Sequence, residues 1–164
     1  MGAELGLATP PSSLVVEPLG TGVGLLGTLA RVTLVGADEG PTSVVAKLPT
    51  TDPANQAIVD RFGYDRREAG VYRDLLPRSG APAPRCLAQR WDEDAGRGWL
   101  LLEDLGALAV GDQVAGATDD EAVAAVGALA RWHAVWWDDP ALGDHDWLPD
   151  TTDPVIAGYG ELFD

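Results

Sequence analysis

The sequence predicts an α+β chain in which an antiparallel five-stranded sheet, with a helix inserted between its third and fourth strands, precedes a helical portion. Two observations carry this. Apolar, β-branched runs crowd the first 105 positions, and the first three follow one another across turns too short for a βαβ crossover. Beyond Thr118 the apolar residues instead recur at helical spacing.

Residues 1–13, with their Pro and Ser, read as a loose lead-in. L-V-V-E-P-L at 14–19 is the first strand, and it runs into the glycine cluster G-T-G-V-G-L-L-G. T-L-A-R-V-T-L-V alternates as a second strand, G-A-D-E-G-P is a turn, and S-V-V-A-K-L is a third strand. From Asp52-Pro53 the pattern becomes helical, with a break near Gly63. The second helical piece, Tyr64 to Leu76, places Ala69, Tyr72 and Leu76 on one face with Glu68 beside it, and S-G-A-P-A-P ends it. L-A-Q-R-W and W-L-L-L-E-D-L are the last two strands, joined by the polar turn D-E-D-A-G-R-G.

Thr118 with Glu121 fits a capping box that opens a long helix. Ala122, Val126, Leu129, His133 and Trp136 form its apolar stripe, Pro140 marks its end, and a further helix is expected from Asp153-Pro154. The chain thus divides into a lead-in (1–13), a sheet lobe (14–102), a linker (103–117) and a helical portion (118–164).

The net charge of −15 argues against nucleic acid as a partner. It is unevenly spread: residues 1–97 carry ten basic and twelve acidic side chains, residues 98–164 one basic and fourteen acidic. That asymmetry fits a solvated acidic face, or a site for a cationic small molecule. No apolar run is long enough to span a membrane, and the N-terminus lacks the pattern of a signal peptide, so the expected compartment is the cytoplasm. The single cysteine, Cys86, excludes an intrachain disulfide and reads as a small buried thiol.

The glycine cluster admits two readings. Gly22-Val23-Gly24-Leu25-Leu26-Gly27 matches the G-x-G-x-x-G dinucleotide fingerprint, which needs a helix after it. Counted from Gly20, the same glycines fit a hairpin loop whose backbone N–H groups cover nucleotide phosphates, and the alternation at Val32, Thr33 and Val35 favours that strand-flanked form. The hairpin reading requires a lysine on the next strand and a glutamate on the following helix to hold it. Lys47, the only lysine in the chain, follows Val45-Ala46, one residue tighter than V-A-x-K, and Glu68 lies 21 residues on. The plainer alternative is that Lys47 snorkels from an edge strand and Glu68 is a surface residue. W-L-L-L-E-D-L, an apolar strand turning polar, would present backbone groups to an adenine edge. Glu103 and Asp104 as metal ligands at a strand end are the alternative there.

Taken together, G-T-G-V-G-L-L-G-T-L-A-R-V-T-L, V-V-A-K-L-P, R-R-E-A-G-V-Y, W-L-L-L-E-D-L and L-A-R-W-H-A-V-W-W resemble the aminoglycoside phosphotransferase and choline kinase-like superfamily. Within it, the chain looks most like the ecdysteroid-kinase-like, CHK-type phosphotransferases. The likeness covers about residues 14–150, and L-A-x-x-H-A-x-W-W is its most specific part. It implies a protein-kinase-like N-terminal lobe, with its C-type helix, followed by the first helices of an incomplete α-helical C-terminal lobe. It also implies ATP and Mg2+ as cofactors and transfer of the γ-phosphoryl group to the hydroxyl of a small-molecule alcohol. By the same resemblance Gly20, Gly22, Val23, Gly24 and Gly27 cover the phosphates, Lys47 binds the α/β-phosphates, Glu68 orients it, and Leu102, Glu103, Asp104 and Leu105 form the hinge. His133 is structural on this view. The acceptor stays open between aminoglycoside, choline-like and sterol-like alcohols.

One part of the family pattern is missing. The catalytic loop H-G-D-x-x-x-x-N has no counterpart: His133 precedes Ala-Val, His145-Asp146 has Thr151 where the asparagine belongs, and the only asparagine is Asn55. Catalytic residues and metal ligands are therefore expected in a separate or missing C-terminal lobe. The 164-residue chain alone is expected not to turn over ATP, and Trp132, Trp136 and Trp137 to leave an apolar patch. A second reading is a non-catalytic, pseudokinase-like nucleotide-binding module that acts through a partner. A third is a dinucleotide-binding oxidoreductase, which requires a helix over residues 28–35.

Overall fold

The computed structural model describes residues 5, 7, 9–20, 26–37, 40–108, 111–112, 114–150 and 152–153. Five strands, β1 (Ser13–Leu19), β2 (Gly27–Val35), β3 (Ser43–Pro49), β4 (Cys86–Asp92) and β5 (Arg97–Glu103), form one antiparallel sheet in the order β1-β2-β3-β5-β4. The chain is α+β, as its sequence predicts.

Alternation sends Val32 and Leu34 of β2 and Val44 and Ala46 of β3 to one face, where they pack with Leu101 of β5. Lys47, one residue past Ala46, is carried to the opposite face. β5 lies between β3 and β4, and its Leu100, Leu101 and Leu102 are all buried, so both faces of the sheet are covered there. One cover is a correction to the sequence reading: the lead-in is not wholly loose, because Leu5 and Leu7 pack against the Val32–Val44–Leu101 cluster. Their spacing of two carries too little periodicity to announce it.

Helix α1 (Pro53–Phe62) is capped by Asp52, whose carboxylate accepts from the Ala54 and Asn55 N–H groups at 2.9 Å. Gly63, at φ 60°, breaks the helix where the sequence places the break. The next helix runs on through α2 (Tyr64–Gly70), a π-helical turn (Val71–Leu75) and α3 (Leu76–Ser79). It therefore continues three residues past the predicted end at Leu76. Pro77 has no N–H to give to the preceding turn, and the Leu76 N–H reaches back to the Val71 carbonyl instead. The extra residue in that turn rotates the face, so Leu75 is buried with Ala69, while Tyr72 and Leu76 are only half-buried.

Helix α4 (Asp119–Trp136) begins with the expected capping box: Thr118 Oγ1 accepts from the Glu121 N–H at 3.3 Å, and Glu121 Oε2 accepts from the Thr118 N–H at 2.8 Å. Thr118→Ala removes half of this exchange and is expected to cost about 1 kcal/mol. Amide exchange should show that loss in the first turn of α4 before the rest of the helix. The stripe of α4 is a second correction. Val126 and Leu129 are exposed and so is His133, which is not a buried structural histidine; Trp136 alone of the stripe is buried. Of the three tryptophans expected to leave an apolar patch, only Trp137 is exposed, at 79%; Trp136 is buried and Trp132 is half-buried against the same cluster.

A short 3-10 turn, Pro140–Asp144, capped by Asp139, follows α4. The helix expected from Asp153-Pro154 lies outside the described residues. Among those residues no helix is long and apolar enough to cross a membrane. Cys86 is half-buried, and burial pushes its thiol up, away from the reactive thiolate form.

Candidate nucleotide site

The lone lysine has a partner. Lys47 Nζ lies 2.5 Å from Glu68 Oε2, joining β3 to α2, and each side chain keeps about a third of its surface in water at 30% exposure. β3 is an interior strand, flanked by β2 and β5, with Lys47 opposite Leu29 and Leu100. The edge-strand alternative is thereby removed: Lys47 reaches outward over a sheet face and ends on a helix carboxylate. At the exit of the glycine cluster, a methyl group on Gly27 would stand 3.3 Å from Lys47 Cε and 3.5 Å from the Leu48 carbonyl. The absence of a side chain there lets the backbone close over the lysine stem. Gly20, at φ 65°, opens the loop in a conformation that favours glycine. Gly22, Val23 and Gly24 lie outside the described residues. Gly27 leads into strand β2, not a helix, so the context required by the dinucleotide fingerprint is not met.

Beside the pair is an open cleft of about 590 Å³, bordered by Leu26, Val71, Trp147 and Leu148 as well as by Lys47 and Glu68. Asp65, one helical turn before Glu68, borders it too. Its Oδ2 is enclosed without a hydrogen-bond partner among the described residues. Burial pushes its carboxyl above the usual range, while the nearby Lys47 pulls it back. Sequence reasoning missed this second acid. The spacing of three between Asp65 and Glu68 was the available signal, since it puts both on one side of a helix.

The predicted hinge is a polar knot. Leu102 is buried in β5, the Glu103 N–H donates to the Arg85 carbonyl at 2.8 Å, and the Glu103 carboxylate faces the Arg85 guanidinium at 3.3 Å. Asp104 accepts from Arg31 Nε at 2.7 Å, from Ser43 Oγ at 2.7 Å and from the Gly106 N–H at 2.9 Å. These bonds, Arg31's first among them, hold its carboxyl down at about 2. Asp104 thus ties the end of β5 to β2 and β3, and its side chain is committed to that work. Leu105, partly exposed, accepts from the Leu108 N–H at 2.8 Å in the turn after the strand. Both carboxylates of the metal-ligand alternative are held by arginines, and among the described residues no group of three or more His, Cys, Asp or Glu side chains could hold a metal ion.

The structure therefore brings Gly27, Lys47 and Glu68 together. It sets residues 102–105 farther along β5, beginning two residues beyond Leu100, the partner of Lys47. No family model matches the chain, and neither does any curated protein or solved structure. The functional reading therefore rests on the geometry of the site.

Proposed function

We propose that this chain is the ATP-binding portion of a small-molecule phosphotransferase with a protein-kinase-like N-terminal lobe. The observation that carries the reading is the 2.5 Å contact between Lys47 and Glu68. A lysine held extended by a helix carboxylate, beneath a glycine-flanked hairpin, is the arrangement that aims an ammonium at the α/β-phosphates. The backbone of residues 102–105 begins about 7 Å along β5 from that point, a span that a ribose can bridge between adenine and phosphate.

In this reading the loop between β1 and β2, including Gly20, Gly22, Val23, Gly24 and Gly27, covers the phosphates, and Lys47 neutralises them. Magnesium would arrive with the nucleotide, and its protein ligands would come from the C-terminal lobe, as the resemblance implies. The acceptor is a small-molecule alcohol. Positioning that acceptor in line with the γ-phosphate falls to residues this chain does not contain, since it has no H-G-D-x-x-x-x-N. The experiment is equilibrium binding of Mg·ATP to the chain and to Glu68→Gln. One saturable site, weakened several-fold in the variant, supports the proposal, and the absence of saturable binding refutes it.

A second reading keeps the binding and drops the chemistry: a nucleotide-binding module that acts through a partner. It is favoured by Asn55, the only asparagine, which sits in the first turn of α1 with its N–H bonded to the Asp52 cap. Phosphoryl transfer restored by adding a C-terminal chain selects the enzyme; binding without any such restoration selects the module.

A further inference from the structure

The helix that presents Glu68 is held from outside by three consecutive residues. Asp146 Oδ2 accepts from Arg66 Nη2 at 3.0 Å. Trp147 Nε1 donates to Asp74 Oδ2 at 2.8 Å, and His145 Nδ1 lies 3.7 Å from the same oxygen. Arg66 and Asp74 stand on either side of Glu68 along the helix, so the segment crosses it like a strap.

The seat for Trp147 is built into the helix. A methyl group on Gly70 would run into the indole, so the ring lies directly on the helix backbone. The π-helical turn begins at the next residue and carries Asp74 round to receive the indole N–H. Trp147 is 6% exposed and packs with Leu75 and Trp136. The same Trp147 borders the cleft beside Lys47 and Glu68.

We propose that Trp147 is a positioning residue for the Lys47–Glu68 pair. Seated on Gly70 and bonded to Asp74, it fixes the rotation and depth of the helix, and through them the reach of Glu68 to Lys47. Glu68 meets Lys47 from the helix that Trp147 holds, so a shift of that helix lengthens the contact. Releasing the strap therefore separates the pair without touching either partner. The proposal builds on Lys47 as a phosphate ligand, but its test needs no nucleotide.

Because Lys47 is the only lysine, its acylation by an amine-reactive reagent can be followed by mass spectrometry on a single peptide. An ammonium held by a carboxylate must leave it before it can react. Glu68→Gln sets the rate for the released lysine. Trp147→Phe keeps a ring but loses the donor, and is expected to speed labelling roughly fivefold, the effect of one lost hydrogen bond. Adding Glu68→Gln to Trp147→Phe should raise the rate no further than Glu68→Gln alone. Asp74→Asn, which still offers an acceptor, should label like the wild type, whereas Asp74→Ala should label like Trp147→Phe and replaces it if that variant does not fold. Unchanged labelling in the folded variants, or effects that multiply with Glu68→Gln, overturns the proposal. A chain that binds no ATP but labels as expected would refute the nucleotide reading and leave this one standing.

Discussion

Replacing Lys47 by alanine is expected to weaken Mg·ATP binding by about 10–100-fold, the range for losing a hydrogen bond to a charged group. The fold should barely notice. The pair is partly exposed, with each side chain at 30%, so Glu68 can turn to water when its partner goes. A stability change of no more than about 1 kcal/mol is expected, as for exposed ion pairs. Titration calorimetry for the affinity and thermal melting for the fold separate the two effects. Equal losses in both would make Lys47 a structural residue and not a ligand.

Asp104→Asn should act in the opposite way, on the fold. Holding the carboxyl near 2 against its ordinary 3.8 corresponds to about 2 kcal/mol, and water at the one-third-exposed Arg31 reduces this to roughly 1–2 kcal/mol. Melting should fall by about 2–8 °C at neutral pH. The folded value lies below the unfolded one, so this stabilisation is fully present above about pH 5 and is lost as pH falls through 4 towards 2. The gap between wild type and Asp104→Asn should therefore be constant at neutral pH and close below about pH 4. A gap that persists to pH 2 would mean that packing, and not the charge on Asp104, ties the strands.

How much of the fold and site was legible in the sequence depends on the range of each interaction. The strands and the break at Gly63 are local, set by alternation and by one left-handed residue. The first four strands stand where the pattern puts them to within a residue, whereas β5 runs over Arg97–Glu103 and not 99–105, because its pairing with β4 draws Arg97 and Gly98 out of the turn. The Lys47–Glu68 pair spans 21 positions, yet composition exposed it, because one lysine among arginines begs for a partner. The Arg31–Ser43–Asp104 knot was hidden: each residue is ordinary alone, and only the sheet order brings β2, β3 and the end of β5 together. Trp147 was hidden for the same reason, and because the π-helical turn that seats it breaks the 3.6-residue period by which helix faces are read. The stripe of α4 is the reverse case. Its periodicity is real, but periodicity does not say what covers a face.

The claim that Lys47 and Glu68 form a nucleotide site is tested most directly by protection. Mg·ATP should bind the 164-residue chain at one site and, over the same concentration range, slow acylation of Lys47. Saturable binding that leaves Lys47 equally reactive, or no saturable binding at all, would contradict it.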